Sequence, residues 1–224
     1  MNNEESAVQR VRNRKRTNIL HKPEFAVIEF FCGILPPFFT PNVLTAIGFM
    51  GSLLTCVAIL LAVQNKYYMI LACVGLAIQW WGDSLDGRMA YYRNQPRKWY
   101  GWILDMNLDW ISTGLMALSI HFYLPDSQYA AFLFMATYGH AYILALMRYK
   151  ITDIYLIDAD GPLGPTETRI LLGMSLFLEI FITDFLFWFG IVGSALLIII
   201  NTVDSLKVLK LADQKDIEER KLKQ

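Results

Sequence analysis

Six apolar stretches, at about Pro41 to Val63, Tyr67 to Tyr92, Gly101 to Tyr123, Tyr129 to Met147, Arg169 to Thr183 and Phe185 to Leu206, leave this chain few folds to choose from. A bilayer core about 30 Å thick takes roughly 20 mostly apolar residues per helix. Backbone polar groups in hydrocarbon must be satisfied within the segment, which a helix does on its own. The last two stretches meet at Thr183 and Asp184, which predicts a tight turn. The fifth is short and can borrow residues from Thr166 onwards, and Glu179 within it needs a protein-facing or interfacial position. The expected fold is an all-α integral membrane protein with six transmembrane helices.

Composition and charge narrow the setting. Hydrophobic residues make up 55% of the chain and charged ones 18%, against about 25% charged in soluble proteins. The 20 basic and 20 acidic residues cancel, so no overall positive field exists to hold nucleic acid. Cys32, Cys56 and Cys73 follow no paired-ligand spacing and read as buried apolar side chains. The first 17 residues lack the apolar core of a removable secretory signal. Lys and Arg stay on the cytoplasmic side. With both termini cytoplasmic, 19 of the 20 basic residues fall inside and Lys66 alone outside.

Before the first span, Arg10, Arg12, Arg14, Lys15 and Arg16 precede Phe25, Ile28, Phe30, Phe31 and Leu35. That order suits an amphipathic juxtamembrane helix on an anionic leaflet, with a solvated basic tail as the other reading. Three segments follow: a tail and amphipathic segment over 1–39, a membrane domain over 40–209 and a charged cytoplasmic tail over 210–224.

Asp83, Asp86, Asp105 and Asp109 stand near the cytoplasmic ends of the second and third spans, where an unpaired charge is costly. Asp83 and Asp86 are three residues apart and Asp105 and Asp109 four apart, so each pair projects from one helix face. Four carboxylates facing one another repel unless a cation intervenes. Oxygen-only ligands select hard divalent ions, Mg²⁺ or Mn²⁺, and a site for two ions is the economical reading. Gly87 and Ala90 lie four and seven residues after Asp83, and Gly101 four before Asp105. Missing side chains there leave room either for a phosphorylated ligand or for a close helix.

Asp83-Ser84-Leu85-Asp86-Gly87-Arg88-Met89-Ala90, followed by Gly101, Asp105 and Asp109, resembles the motif of the CDP-alcohol phosphatidyltransferases, Asp-x2-Asp-Gly-x2-Ala-Arg then Gly-x3-Asp-x3-Asp. Thr40 to Gly48 is similar to the stretch that opens the first span of that family. Two departures stand out: Tyr91 occupies the position of the motif arginine, with Arg93 two residues on, and the spacer to Asp105 is one residue longer than the commonest form.

The resemblance implies transfer of a substituted phosphoryl group, such as phosphatidyl from CDP-diacylglycerol, to an alcohol with release of CMP in phospholipid synthesis. It implies that Asp83, Asp86, Asp105 and Asp109 hold the metal ions and that Asp109 takes the hydroxyl proton. Asn42, Thr45, Asp83, Gly87, Ala90, Arg93 and Gly101 would contact the CDP group, although Asn42 also reads as a helix cap after Pro41. It further implies a homodimer in a bacterial cell membrane with its active site facing the cytoplasm. Arg148, Glu167 and Arg169, with Lys150, flank the same side and are candidates to select the acceptor, while topology alone also accounts for the three cations.

Gly164-Pro165-Thr166-Glu167 is also similar to eukaryotic choline and ethanolamine phosphotransferases, which keeps open a CDP-amino-alcohol reaction on a lipid alcohol. His21, His121 and His140 are too dispersed for a metal site. A divalent-cation transporter is the competing class, since intramembrane carboxylates also mark ion paths. An inactive relative, given Tyr91, is a third.

Overall fold

The computed structural model describes residues 20–124, 129–152 and 165–222. Among them are seven helices and no strand: α1 His21–Ile34, α2 Pro41–Ala62, α3 Tyr68–Tyr92, α4 Lys98–Tyr123, α5 Tyr129–Thr152, α6 Pro165–Glu179 and α7 Phe185–Leu222. α2, α5 and α7 are long and apolar enough to cross a membrane. α3 and α4, at 25 and 26 residues, are as long but carry the four aspartates, and α6 has 15 residues.

Local chemistry sets the ends. Pro41 occupies the start of α2, and the Thr40 hydroxyl accepts the Val43 N–H at 3.3 Å, so Thr40, not Asn42, is the cap. The α6–α7 connection is the tight turn expected at Thr183 and Asp184, with Asp184 at φ 63°. Glu179, 4% exposed, accepts the Leu186 N–H at 2.7 Å and the Tyr123 hydroxyl at 3.2 Å. Its carboxylate thereby satisfies an orphan donor at the start of α7.

Glycines bring α2 and α3 together. A Cβ added to Gly82 would sit 2.5 Å from the Gly48 nitrogen, and one on Gly51 2.5 Å from the Gln79 nitrogen. The Thr55 hydroxyl, buried at this crossing, lies 3.2 Å from the Ala72 carbonyl of the other helix. Small residues thus allow backbone contact, a packing mode suited to lipid, where apolar burial drives little. Beyond the crossing, Ile59, Met69, Leu76, Leu176 and Ile180 form the main core cluster of α2, α3 and α6.

α1 docks on α3 and α2 through Ile28 and Cys32, which pack with Leu44, Leu85 and Met89. Val27, Phe30 and Ile34 remain exposed. The helix is present where an amphipathic element was expected, with Phe30 on the outer face; Arg10 to Arg16 lie outside the described residues. Cys32 and Cys56 are buried and Cys73 is half-buried. α7 continues unbroken through residues 209 and 210, so the expected boundary of the charged tail falls within one helix. Lys215 there donates to the Ile151 carbonyl at 3.0 Å, tying the extension to α5.

Candidate active site

The α2–α3 crossing carries the carboxylates toward the start of α4. Asp86, 2% exposed, accepts a hydrogen bond from the Thr45 hydroxyl of α2. Asp83, Asp105 and Asp109 line a small cavity with Thr45, Ser52, Gln79 and Ser112. The Asp105 carboxylate lies in the combined field of Asp83, Asp86 and Asp109. The sequence expectation that two helix faces bring four aspartates together therefore describes the fold.

Arg169 of α6 reaches into this cluster. Its Nη2 lies 2.6 Å from Asp83 Oδ2 and 3.9 Å from Asp109 Oδ1. A guanidinium between two carboxylates offsets part of their repulsion. Asp109 Oδ2 also accepts from the Tyr142 hydroxyl of α5 at 3.1 Å, and the Tyr142 ring packs on Tyr138 at 5.2 Å between centroids.

Among the described residues no group of three or more His, Cys, Asp and Glu is arranged to hold a metal ion. Arg169 holds Asp83, and Thr45 holds Asp86. The donor chemistry nevertheless fits a hard cation, because the cavity offers carboxylate, hydroxyl and amide oxygens and neither thiol nor imidazole.

The expected CDP-contacting residues divide. An added Cβ on Gly87 meets nothing within 4 Å, and one on Gly101 meets only the Arg97 Cβ at 3.7 Å. Neither glycine serves a helix crossing, in contrast to Gly48, Gly51, Gly75 and Gly82. Ala90 is 2% exposed, so it does not share the open surface of Gly87. Asn42 accepts from the Arg97 guanidinium across the α2–α4 gap. Arg93 is turned away: Nη1 donates to the Pro37 and Phe39 carbonyls at 3.0 and 2.9 Å and Nη2 to the Pro36 carbonyl at 2.9 Å. It ties the end of α3 to the α1–α2 loop, whose orphan carbonyls need donors.

Of the acceptor candidates, Arg169 alone reaches the aspartates. Arg148 pairs with Asp204 of α7 at 3.6 Å. Glu167, 7% exposed, accepts the Leu20 N–H at 2.9 Å, and Thr166 donates to Glu24 at 3.0 Å. The Thr-Glu pair therefore fastens α6 to the start of α1. Sequence reasoning missed Arg97, Tyr138 and Tyr142, and missed Thr45 and Arg169 as partners of aspartates.

A cavity of about 170 Å³ is lined by Asp109, Arg169, Tyr138 and Tyr142 together with Met116, Ile120, Phe134, Leu186 and Phe189. Its lining is mostly apolar.

With this geometry in view, the family model for CDP-alcohol phosphatidyltransferases matches residues 38–199, from the α1–α2 loop into α7. No curated protein matches the chain.

Proposed function

Because the chain belongs to the CDP-alcohol phosphatidyltransferase family, whose members transfer a substituted phosphoryl group from a CDP-linked donor to an alcohol, we propose that it transfers phosphatidyl from CDP-diacylglycerol to an alcohol, releasing CMP. The observation that carries this reading is the meeting of Asp83, Asp105 and Asp109 in one cavity with Asp86 behind them. Six membrane crossings, both termini and the active site on the cytoplasmic side of a bacterial cell membrane, and a homodimer belong to the same proposal. Motif membership weighs against the transporter.

The acceptor oxygen attacks the distal phosphorus of the CDP group. The new P–O bond forms as the anhydride P–O bond to CMP breaks, and the bonding pair leaves with CMP. Asp83, Asp86, Asp105 and Asp109 would hold two Mg²⁺ or Mn²⁺ ions. When bound, these ions neutralise charge on the diphosphate and on the departing CMP. Asp109 accepts the hydroxyl proton, and the Tyr142 hydroxyl orients its carboxylate. Arg169 presents positive charge to an anionic acceptor from the same edge. Gly87 leaves the surface open where a nucleotide must approach.

One observation favours the second reading, a CDP-amino-alcohol donor with a lipid alcohol as acceptor. The mostly apolar cavity is lined in part by the proposed base, and an acceptor chain would enter there. The deciding experiment supplies the purified protein in detergent, with Mg²⁺ or Mn²⁺, either CDP-diacylglycerol plus water-soluble alcohols or CDP-choline and CDP-ethanolamine plus diacylglycerol. Product lipids are identified by mass. Product from the first mixture supports phosphatidyl transfer, product from the second alone supports the amino-alcohol reaction, and product from neither refutes both.

A further inference from the structure

Four arginines, Arg88, Arg93, Arg97 and Arg169, lie on or beside the helices that carry the aspartates, and three are committed. Arg93 spends its donors on the carbonyls of Pro36, Pro37 and Phe39. Arg169 is paired with Asp83 and Asp109, and Arg88 lies 5.0 Å over the Phe25 ring, toward α1. Arg97 differs. Its Nη1 donates to Asn42 and its guanidinium carbon lies 5.5 Å over the Tyr100 ring, while Nε is buried with no hydrogen-bond partner among the described residues. A buried, unpaired guanidinium N–H is costly in a finished structure, and an anion that meets Nε together with an Nη satisfies the fork geometry of the group.

Its position points the same way. Arg97 caps the start of α4, its carbonyl accepting the Gly101 N–H at 2.8 Å, and Gly101 and Asp105 share one face of the helix at four-residue spacing. The glycine between the arginine and the aspartate leaves the Arg97 stem uncovered, its Cβ being what a Gly101 side chain would touch. Asn42 is one turn before Thr45, which holds Asp86, and the Arg97 charge acts on both Asp86 and Asp105. The guanidinium therefore stands at the edge of the carboxylate cluster with an unmet donor, where the phosphates of a nucleotide held against those carboxylates would lie.

We propose that Arg97 grips the diphosphate of the CDP-linked donor, a contact that Arg93 is turned away from. The proposal rests on the transferase reading above. The competing view is that Arg97 is only a clasp holding α4 to α2 through Asn42.

The test is titration of CDP, and of cytidine as the phosphate-free probe, into the detergent-solubilised full chain with Mg²⁺. The wild type is compared with R97Q and R97K, with ligand-free melting temperatures recorded for all three. Arg97→Gln should weaken CDP binding about tenfold or more, the scale of a lost charge-assisted contact, with cytidine binding and melting temperature unchanged. Arg97→Lys, which keeps the charge without the fork, should fall between. Equal losses for CDP and cytidine, or a lowered melting temperature with CDP affinity retained, would make Arg97 a clasp and overturn the assignment. A wild type that binds no CDP would instead bring down the transferase reading, and this assignment with it.

Discussion

Two glycines five residues apart on α3 have opposite surroundings, and alanine at each separates what the helix needs for packing from what the site needs for its ligand. At Gly82 the new Cβ would sit 2.5 Å from the Gly48 nitrogen, 2.6 Å from the Leu44 carbonyl oxygen and 2.7 Å from the Gly48 Cα. All three are backbone atoms, so no side chain can rotate away and the helices must separate. Overpacking of this kind costs about 1–3 kcal/mol. With roughly 2–4 °C per kcal/mol in a chain of this size, Gly82→Ala should melt about 2–12 °C lower. At Gly87 the added methyl group meets nothing within 4 Å, and alanine gains up to about 1 kcal/mol of helix propensity over glycine. Gly87→Ala should therefore melt at or slightly above the wild-type temperature. If the open space is where the CDP group lies, that same methyl group must weaken donor binding. The assay is paired: thermal unfolding in detergent without ligand, and CDP-diacylglycerol affinity with Mg²⁺. A Gly87→Ala protein that unfolds early and binds donor normally would refute the pocket assignment and return Gly87 to packing.

Three further outcomes follow from named contacts. Asp105→Asn should abolish transfer while expression and melting temperature hold, because Asp105 lies in the field of three like charges; CMP release at the wild-type rate under saturating metal would remove it from the metal site. Asp109→Asn should retain donor binding and lower turnover by about 10² or more, the scale of a lost general base, and an equal loss of donor affinity would make Asp109 chiefly a ligand. Glu179→Ala should cost about 1–3 kcal/mol by leaving the Leu186 N–H and the Tyr123 hydroxyl without their acceptor, with turnover of the folded protein unchanged; unaltered thermal stability would contradict its capping role.

Much of this arrangement is legible in the sequence because it is local. Each apolar stretch overlaps one of α2 to α7, although α6 starts and ends earlier and α7 runs on to Leu222; the turn at Asp184 follows from two runs meeting without a linker, and helical spacing alone puts each aspartate pair on one face. Thr40 before Pro41 carries a capping signature that Asn42 lacks. The partners that complete the site are a different matter. Asp83 and Arg169 are 86 residues apart and Asp109 and Tyr142 are 33 apart, so no period links them, and each pair exists only because α6 and α5 pack where they do. Arg93 and Arg97 look alike in sequence. What separates them is the α1–α2 loop, whose carbonyls claim the first and leave the second beside Asn42. The glycines divide for the same reason: small residues at Gly48, Gly82 and Gly87 read alike until the neighbouring helix is placed against two of them and away from the third.

In the proposed function the four aspartates serve a transfer from a CDP-linked donor to an alcohol. Its most direct measurement is the simultaneous count of CMP released and new phosphodiester formed by the purified protein, with Mg²⁺ and with chelator, for the wild type and Asp105→Asn. The wild type should release one CMP for each phosphodiester formed, and neither product should appear with chelator or with Asp105→Asn. CMP released without a matching phosphodiester, or transfer that survives both chelator and Asp105→Asn, would contradict it.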